Sequence, residues 1–179
     1  ALKKNARTIK ERAVLSDFTF MESIHAKTYG TILISLNTFK DIEEIYTWMN
    51  NDRRMQFKAK KINEIYQNGT PMQVKVASVF LEGILYYSNF FIPLWYRGQN
   101  KLANLAELIK LVIRDESVHG TYLGYKFRQD FNELSITEQE NFTNWMYSFL
   151  EELLDNEFAY TEEVYSEIGL VEDIKTFVK

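Results

Sequence analysis

Apolar residues recur at steps of three and four along most of this chain, a spacing that predicts an all-α protein. Strand-like alternation is not evident in any segment. With only 2 prolines and 7 glycines to interrupt the pattern, the predicted helices are long. They cover residues 8–37, 40–66, 71–96 and 101–131, then a fifth from Thr137 to about Gly169, with a sixth beginning after residue 170.

A few residues mark the predicted helix ends. Asn68 and Gly69 close the second helix, and Pro71 suits the first turn of the third. Pro93 is expected to kink or stop that helix near its end. Thr137, with a Glu three residues later, has the pattern of a capping box that opens the fifth helix.

Two of these helices carry charge on an otherwise apolar face. On the first helix the face comprises Leu15, Phe18, Glu22, His25, Tyr29, Ile32 and Leu36. On the fourth it comprises Leu105, Ile109, Val112, Glu116, His119 and Leu123. Burying an ionised carboxylate without a partner costs several kcal/mol. A bound cation would compensate that charge and explain why both helices carry the same pair.

The spacing suits a metal site. Glu22 with His25, and Glu116 with His119, each form a Glu-x-x-His motif whose two side chains share one helix face. Paired motifs of this kind are typical of di-iron and di-manganese carboxylate bundles, which also take a lone Glu from other helices. Glu82, in an apolar run, fits that place, although a carboxylate at a helix–helix edge would give the same pattern. Tyr29, one turn past His25, is on this evidence alone a core aromatic.

The composition argues against several classes of protein. Hydrophobic residues make up 46% of the chain and charged residues 26%, which argues against disorder. The net charge of −4 gives no basic field for nucleic acid, and there is no apolar run of about 18 residues to span a membrane. The absence of cysteine excludes thiolate ligands and fits a reducing cytosol. Residues 58–61 contain three lysines and are interpreted as a solvated helix face.

Three segments resemble the small subunits of class I ribonucleotide reductases, most of all class Ib. RDESVHGTYLGYK at residues 114–126 is similar to the family's second Glu-x-x-His segment. FMESIHAKTY at residues 20–29 resembles the first, and LEGILYYS at residues 81–88 resembles the lone-Glu helix between them. The resemblance covers nearly the whole chain and implies a single ferritin-like helical domain over residues 1–179.

The resemblance implies roles for individual residues. A dinuclear iron or manganese centre oxidises a tyrosine, and the radical starts ribonucleoside-diphosphate reduction in a large catalytic subunit, which supplies deoxyribonucleotides for DNA synthesis. The implied metal ligands are Glu22, His25, Glu82, Glu116 and His119, Tyr29 is the implied radical tyrosine, and Asp115 is the implied hydrogen-bond partner of His25. Tyr86, Phe90 and Val112 occupy the radical pocket, where Tyr86 departs from an expected Phe.

The family's first carboxylate ligand comes from an earlier helix, and its C-terminal tail binds the large subunit. No residue here matches either feature, so the chain is expected to bind metal incompletely and to give no turnover by itself. The implied partners are the large subunit, a second copy in a homodimer and a flavodoxin-like activating protein. Binding to nucleic acid or to a membrane is not expected. The implied location is the cytoplasm.

Two other interpretations stay open on sequence grounds. One is a di-iron oxidase or desaturase on the same scaffold, and the other is a non-catalytic metal-binding helical bundle. The position of Tyr29 after His25 and the adjacent Asp115 and Glu116 favour the reductase. Iron and manganese are not distinguished, because both accept carboxylate and imidazole ligands.

Overall fold

The computed structural model describes residues 1–178, and helices account for nearly all of this range. A short 3₁₀ turn, Leu2–Asn5, comes first. The α-helices that follow are α1 (Ile9–Leu36), α2 (Phe39–Asn51), α3 (Arg53–Asn68), α4 (Pro71–Phe80), α5 (Tyr87–Gly98), α6 (Ala103–Phe131), α7 (Ile136–Tyr165) and α8 (Val171–Val178). No strand occurs among residues 1–178, so the all-α prediction is confirmed.

Several predicted boundaries are confirmed. Thr70 caps α4 by accepting a hydrogen bond from the Gln73 amide, and Pro71 fills the first position of the helix. The predicted break at residues 97–100 separates α5 from α6 and includes Asn100 with a left-handed φ of 58°. Pro93, however, lies inside α5 and does not end it, since the helix continues to Gly98.

Two predicted helix starts were wrong. The predicted second helix is two helices, because Asp52 ends α2 and caps α3 by accepting a hydrogen bond from the Met55 amide. The capping box of α7 is formed by Ser135 and Glu138 rather than by Thr137 and Glu140. The same pattern occurs twice in succession, and the helix begins at the earlier copy.

An irregular turn divides the predicted third helix. Residues Leu81–Leu85 form a π-helical segment between α4 and α5, here called the π turn. A π-helical segment inserts an extra residue into a helix and so changes the direction of the side chains that follow. Because Glu82 lies in it, this turn decides where that carboxylate points.

The core lies around α4, the π turn and α5, which pack against α6. One apolar cluster joins α3, α4 and α7, and consists of Ile62, Val76, Ala77, Phe80, Leu85, Phe149 and Leu153. A smaller cluster of Phe90, Ile109 and Val112 joins α5 to α6. α1 lies against α6, so the two helices that carry the Glu-x-x-His motifs are neighbours.

The stretch Pro71–Gly98 is long and apolar enough to cross a membrane by length and composition alone. The same stretch is the central helix of the bundle, with Val74, Ala77 and Phe90 among its buried residues. Burial in the core accounts for part of its apolar character, because 39% of its most apolar window is buried.

A buried ion pair stabilises one end of the bundle. Nζ of Lys75 on α4 lies 2.8 Å from Oδ2 of Asp130 on α6, and both residues are at most 5% exposed. Arg7, just before α1, reaches Oδ1 of the same Asp130 at 3.0 Å. The start of α1 is thereby held against the end of α6.

Replacing Ser135 with Ala should lower the free energy of unfolding by about 1 kcal/mol, because the capping oxygen for the first turn of α7 is lost. The matched control is Thr137→Ala, which removes an exposed hydroxyl inside the helix and should change stability by less than about 0.5 kcal/mol. Urea denaturation measures both. Equal losses for the two variants would contradict the assignment of Ser135 as the cap.

Candidate metal centre

The five predicted ligands converge at one place in the bundle. α1 contributes Glu22 and His25, α6 contributes Glu116 and His119, and the π turn contributes Glu82. Both histidines and Glu116 are buried, and Glu82 is largely so. Each Glu-x-x-His motif presents both side chains on one face because residues three apart are neighbours on an α-helix.

The carboxylates of Glu22 and Glu116 lie between the two imidazoles. Nδ1 of His119 lies 3.1 Å from Oε1 of Glu22 and 3.1 Å from Oε2 of Glu116. Nδ1 of His25 lies 3.7 Å from the other oxygen of Glu22 and 3.2 Å from the other oxygen of Glu116. Each carboxylate therefore turns one oxygen toward each imidazole, an arrangement suited to bridging two cations.

Glu82, the fifth predicted ligand, completes a cluster of donor atoms. Oε2 of Glu82 lies 3.7 Å from Nδ1 of His119, and one donor atom from each of Glu22, Glu82, Glu116 and His119 lies within 4.8 Å of the others. His25 is outside this group of four and borders it through Glu22 and Glu116.

Several donor atoms at this place are buried without a hydrogen-bond partner. Among residues 1–178 they are Glu22 Oε1, His25 Nδ1, Glu82 Oε2 and His119 Nε2. Buried polar atoms are normally satisfied, and unsatisfied ones are costly. Oxygen and imidazole donors without thiolate suit iron and manganese. The residues present thus fit a dinuclear centre of either metal.

Asp115 lies beside the cluster. Its Oδ2 is 3.2 Å from Nε2 of His25, so the second imidazole nitrogen is engaged while Nδ1 faces the carboxylates. This contact is the one that the family resemblance implied, whereas helix geometry alone placed Asp115 off the ligand face. A carboxylate in that position fixes the orientation of a metal-binding imidazole.

The electrostatics of the metal-free cluster favour bound protons. Burial raises the pKa of the Glu116 carboxyl to about 7, with Glu82 adding to the effect and His119 opposing it. Burial opposes a charged His119, but the neighbouring carboxylates of Glu116, Glu22 and Glu82 outweigh it and raise the pKa of His119 to about 11. A cation entering the cluster must therefore displace protons.

Tyr29 borders a cavity of about 620 Å³ that also touches Glu22, His25 and Glu116. Burial of the phenol, with the charges of Glu116 and Glu22, raises its pKa above the ordinary value. The ring is nevertheless 37% exposed, so in this chain water reaches a residue that the family resemblance placed in an apolar surround.

Two of the three remaining residues of the predicted radical pocket line the cavity, and the third does not. Tyr86 and Phe90 line the cavity beside Tyr29, whereas Val112 lies behind them and packs on Phe90. Tyr86 also lines a second cavity that contains Glu22, Glu82 and His119. Burial, together with the charges of Glu82, Glu22 and Glu116, raises the pKa of Tyr86, so its phenol stays protonated at neutral pH.

Sequence reasoning missed a buried polar group next to this site. Lys58, interpreted as part of a solvated face, has a side chain only 13% exposed and pairs with the fully buried Glu157. The signal was available, because Glu157 interrupts the buried face formed by Phe149, Leu153 and Tyr160 on α7.

The whole chain, residues 1–179, matches the family model described as ribonucleotide reductase, small chain. It belongs to this family. It is 40% identical over 178 residues to ribonucleoside-diphosphate reductase 2 subunit beta of Escherichia coli, covering 99% of this chain and 56% of that protein. It is also 40% identical over 175 residues to ribonucleoside-diphosphate reductase subunit beta nrdF2 of Mycobacterium tuberculosis, covering 98% of this chain and 54% of that protein.

The fold of this small-chain family member is shared with solved structures. The dimanganese(II)-NrdF of Streptococcus sanguinis superposes with a TM-score of 0.97 at 55% identity, over 99% of this chain and 62% of that one. A class I ribonucleotide reductase from Bacillus halodurans, at 21% identity, superposes with a TM-score of 0.87 over 98% of this chain and 66% of that one, and supports the fold alone. The predicted ferritin-like bundle is confirmed, and the chain spans about half the length of the curated relatives it matches.

Mn(II) affinity should rise with pH between pH 6 and 8. His119 with a pKa of about 11 is protonated throughout this range, and Glu116 with a pKa of about 7 is increasingly protonated below neutrality. Displacing one proton makes affinity rise roughly tenfold per pH unit, with a steeper rise below pH 7. Electron paramagnetic resonance of free Mn(II) during titration measures this dependence.

His119→Ala supplies the control, because it removes the imidazolium and should give weaker binding with a flatter pH dependence. An affinity for Mn(II) that is constant from pH 6 to 8 in the unchanged chain would show that no proton is displaced.

Proposed function

We propose that this chain is the radical-generating core of a class Ib ribonucleotide reductase small subunit. The observation that carries the proposal is the placement of Glu22 and Glu116, each with one oxygen toward His25 and one toward His119. That geometry is suited to two ions at adjacent positions. When bound and oxidised by dioxygen or an oxidant derived from it, the ions would supply the oxidising power that removes an electron and a proton from a tyrosine.

The proposed ligands are Glu22, His25, Glu82, Glu116 and His119. Their three carboxylates balance most of the charge of two divalent ions, which makes burial of both ions and ligands tolerable. Asp115 accepts a hydrogen bond from Nε2 of His25 and so leaves Nδ1 to face the site. The dimanganese centre of the Streptococcus sanguinis relative supports manganese, and iron accepts the same donors.

Tyr29 is the proposed radical residue. It lies one helical turn past His25 on the same face of α1 and borders the cavity that the ligands line. Since its pKa is raised, the phenol is protonated before oxidation and must lose a proton together with an electron. Tyr86 and Phe90 cover one side of this cavity and limit the access of water from that side.

The proposed reaction is the reduction of ribonucleoside diphosphates, carried out in a large catalytic subunit that the radical activates. A homodimer, a flavodoxin-like activating protein and a cytoplasmic location complete the proposal. The names of the relatives, ribonucleoside-diphosphate reductase subunits beta, support it. The family match also favours this function over a desaturase or a non-catalytic metal-binding bundle.

The test uses a chimera, because the chain spans about half of its relatives. Residues 1–179 replace the matching segment of the Escherichia coli relative, and the chimera is loaded with Fe(II) without oxygen and then exposed to oxygen. A tyrosyl radical signal should appear by electron paramagnetic resonance, and Tyr29→Phe should abolish it. Deoxyribonucleotide formation with the large subunit should be lost in parallel.

The chimera with Tyr122→Phe is the matched control, because Tyr122 is a tyrosine on α6 outside the Tyr29 cavity. A radical that survives Tyr29→Phe would place the oxidised residue elsewhere. Absence of any metal binding by a folded chimera would contradict the proposed function as a whole.

Tyr86 should respond to the oxidised centre, because its phenol faces both ligand-lined cavities. In the same chimera, Tyr86→Phe should change the radical spectrum or remove an added oxygen atom from the peptide that contains residue 86. Electron paramagnetic resonance and peptide mass spectrometry measure the two effects. A radical spectrum that Tyr86→Phe leaves unchanged, together with an unoxidised Tyr86 peptide in the parent chimera, would contradict a role for Tyr86 at the centre.

A further inference from the structure

The π turn, Leu81–Leu85, is an unusual support for a metal ligand. A π-helical segment is less favourable than α-helix and is found mainly at functional sites. At its end the regular pattern of hydrogen bonds changes, since the amides of Asn89 and Phe90 both donate to the carbonyl of Tyr86. Backbone carbonyls at such a break need partners from elsewhere.

Lys58 of α3 supplies a partner at this position. Its ammonium donates to the carbonyl of Leu85, the last residue of the π turn, at 3.4 Å. The same ammonium donates to the two carboxylate oxygens of Glu157 on α7, at 3.0 and 3.3 Å. It also lies 4.7 Å from the centre of the Tyr160 ring, so its charge is satisfied on several sides.

Glu157 connects this lysine to the other side of the break. It is fully buried, and it accepts a hydrogen bond from the hydroxyl of Ser88, which is also fully buried near the start of α5. The contacts to Leu85 and Ser88 hold the backbone on both sides of Tyr86. A network that is fully satisfied in this way is rigid, because each group would be costly to leave unpaired.

We propose that Lys58, Glu157 and Ser88 form a positioning clamp, defined here as these three residues, which holds the π turn so that Glu82 meets the other metal ligands. The clamp acts through the backbone, and none of its residues belongs to the cluster of donor atoms around the histidines. The inference deepens the proposed function and rests on it for the role of Glu82.

If the three residues position Glu82, removing them should weaken metal binding. If they only stabilise the fold, removing them should change stability but not the metal affinity of the folded protein. Replacing a buried ion pair by apolar residues of similar volume is often neutral for stability. Lys58→Met with Glu157→Leu should therefore leave the chain folded, while the Leu85 carbonyl and Ser88 lose their partners. The matched control is Lys61→Met with Glu152→Leu, because this lysine–carboxylate pair joins the same two helices, α3 and α7, but lies outside the π turn.

Mn(II) titration of the chain and both double variants gives the first readout. The clamp variant should bind Mn(II) roughly tenfold more weakly than the unchanged chain, as expected when the support of a ligand is removed. The control variant should bind as the unchanged chain does. Equal Mn(II) affinity in a folded clamp variant overturns the proposal.

Amide hydrogen exchange without metal gives the second readout. Exchange at residues 81–89 should be faster in the clamp variant and unchanged in the control variant, with the rest of α4 and α5 unaffected. Unchanged exchange at these residues overturns the clamp. If the unchanged chain and its chimera bind no Mn(II) at all, the proposed function fails, and this exchange comparison still decides whether the three residues hold the π turn.

Discussion

Three carboxylates and two imidazoles converge between α1, α6 and the π turn, and all except Glu22, whose side chain is 41% exposed, are largely buried. In the absence of cations this cluster holds protons instead, because the neighbouring carboxylates raise the pKa of His119 to about 11 and burial raises that of Glu116 to about 7. Low polarity around the cluster strengthens every interaction within it. The rest of the structure serves to bring these groups together and to keep them from relaxing outward.

Polar contacts provide much of the attachment of α1 to the rest of the described structure. Of its 28 residues only Glu11, Leu15 and His25 are buried, so its apolar packing against α6 is limited. Polar contacts hold it instead, with Arg7 on Asp130 at one end and His25 on Asp115 near the middle. Metal ions that bind Glu22 and His25 together with ligands on α6 would stabilise this helix directly, because ligand binding to the native state adds to folding stability.

Glu82, on the π turn, is held in a different way. A regular α-helix from Pro71 to Gly98 would set the direction of Glu82 by helix geometry alone, whereas the π turn makes that direction depend on local support. Buried charge from α3 and α7 provides this support through Lys58 and Glu157. Irregular backbone and costly buried charge thus occur next to the site, where departures from ideal helical structure are expected to have a function.

The sequence by itself determined the helical architecture, the two Glu-x-x-His motifs and the candidate ligands Glu22, His25, Glu82, Glu116 and His119, because helical periodicity and the cost of buried charge are local properties of the chain. It also predicted Asp115 and Tyr86 near the site through the family resemblance. Only the tertiary structure showed that Glu22 and Glu116 each face both imidazoles and that Tyr29 is partly exposed. It likewise revealed the π turn and the burial of Lys58 against Glu157. Those features depend on residues far apart in the chain, and no local pattern specifies which helix a lysine or a carboxylate will meet.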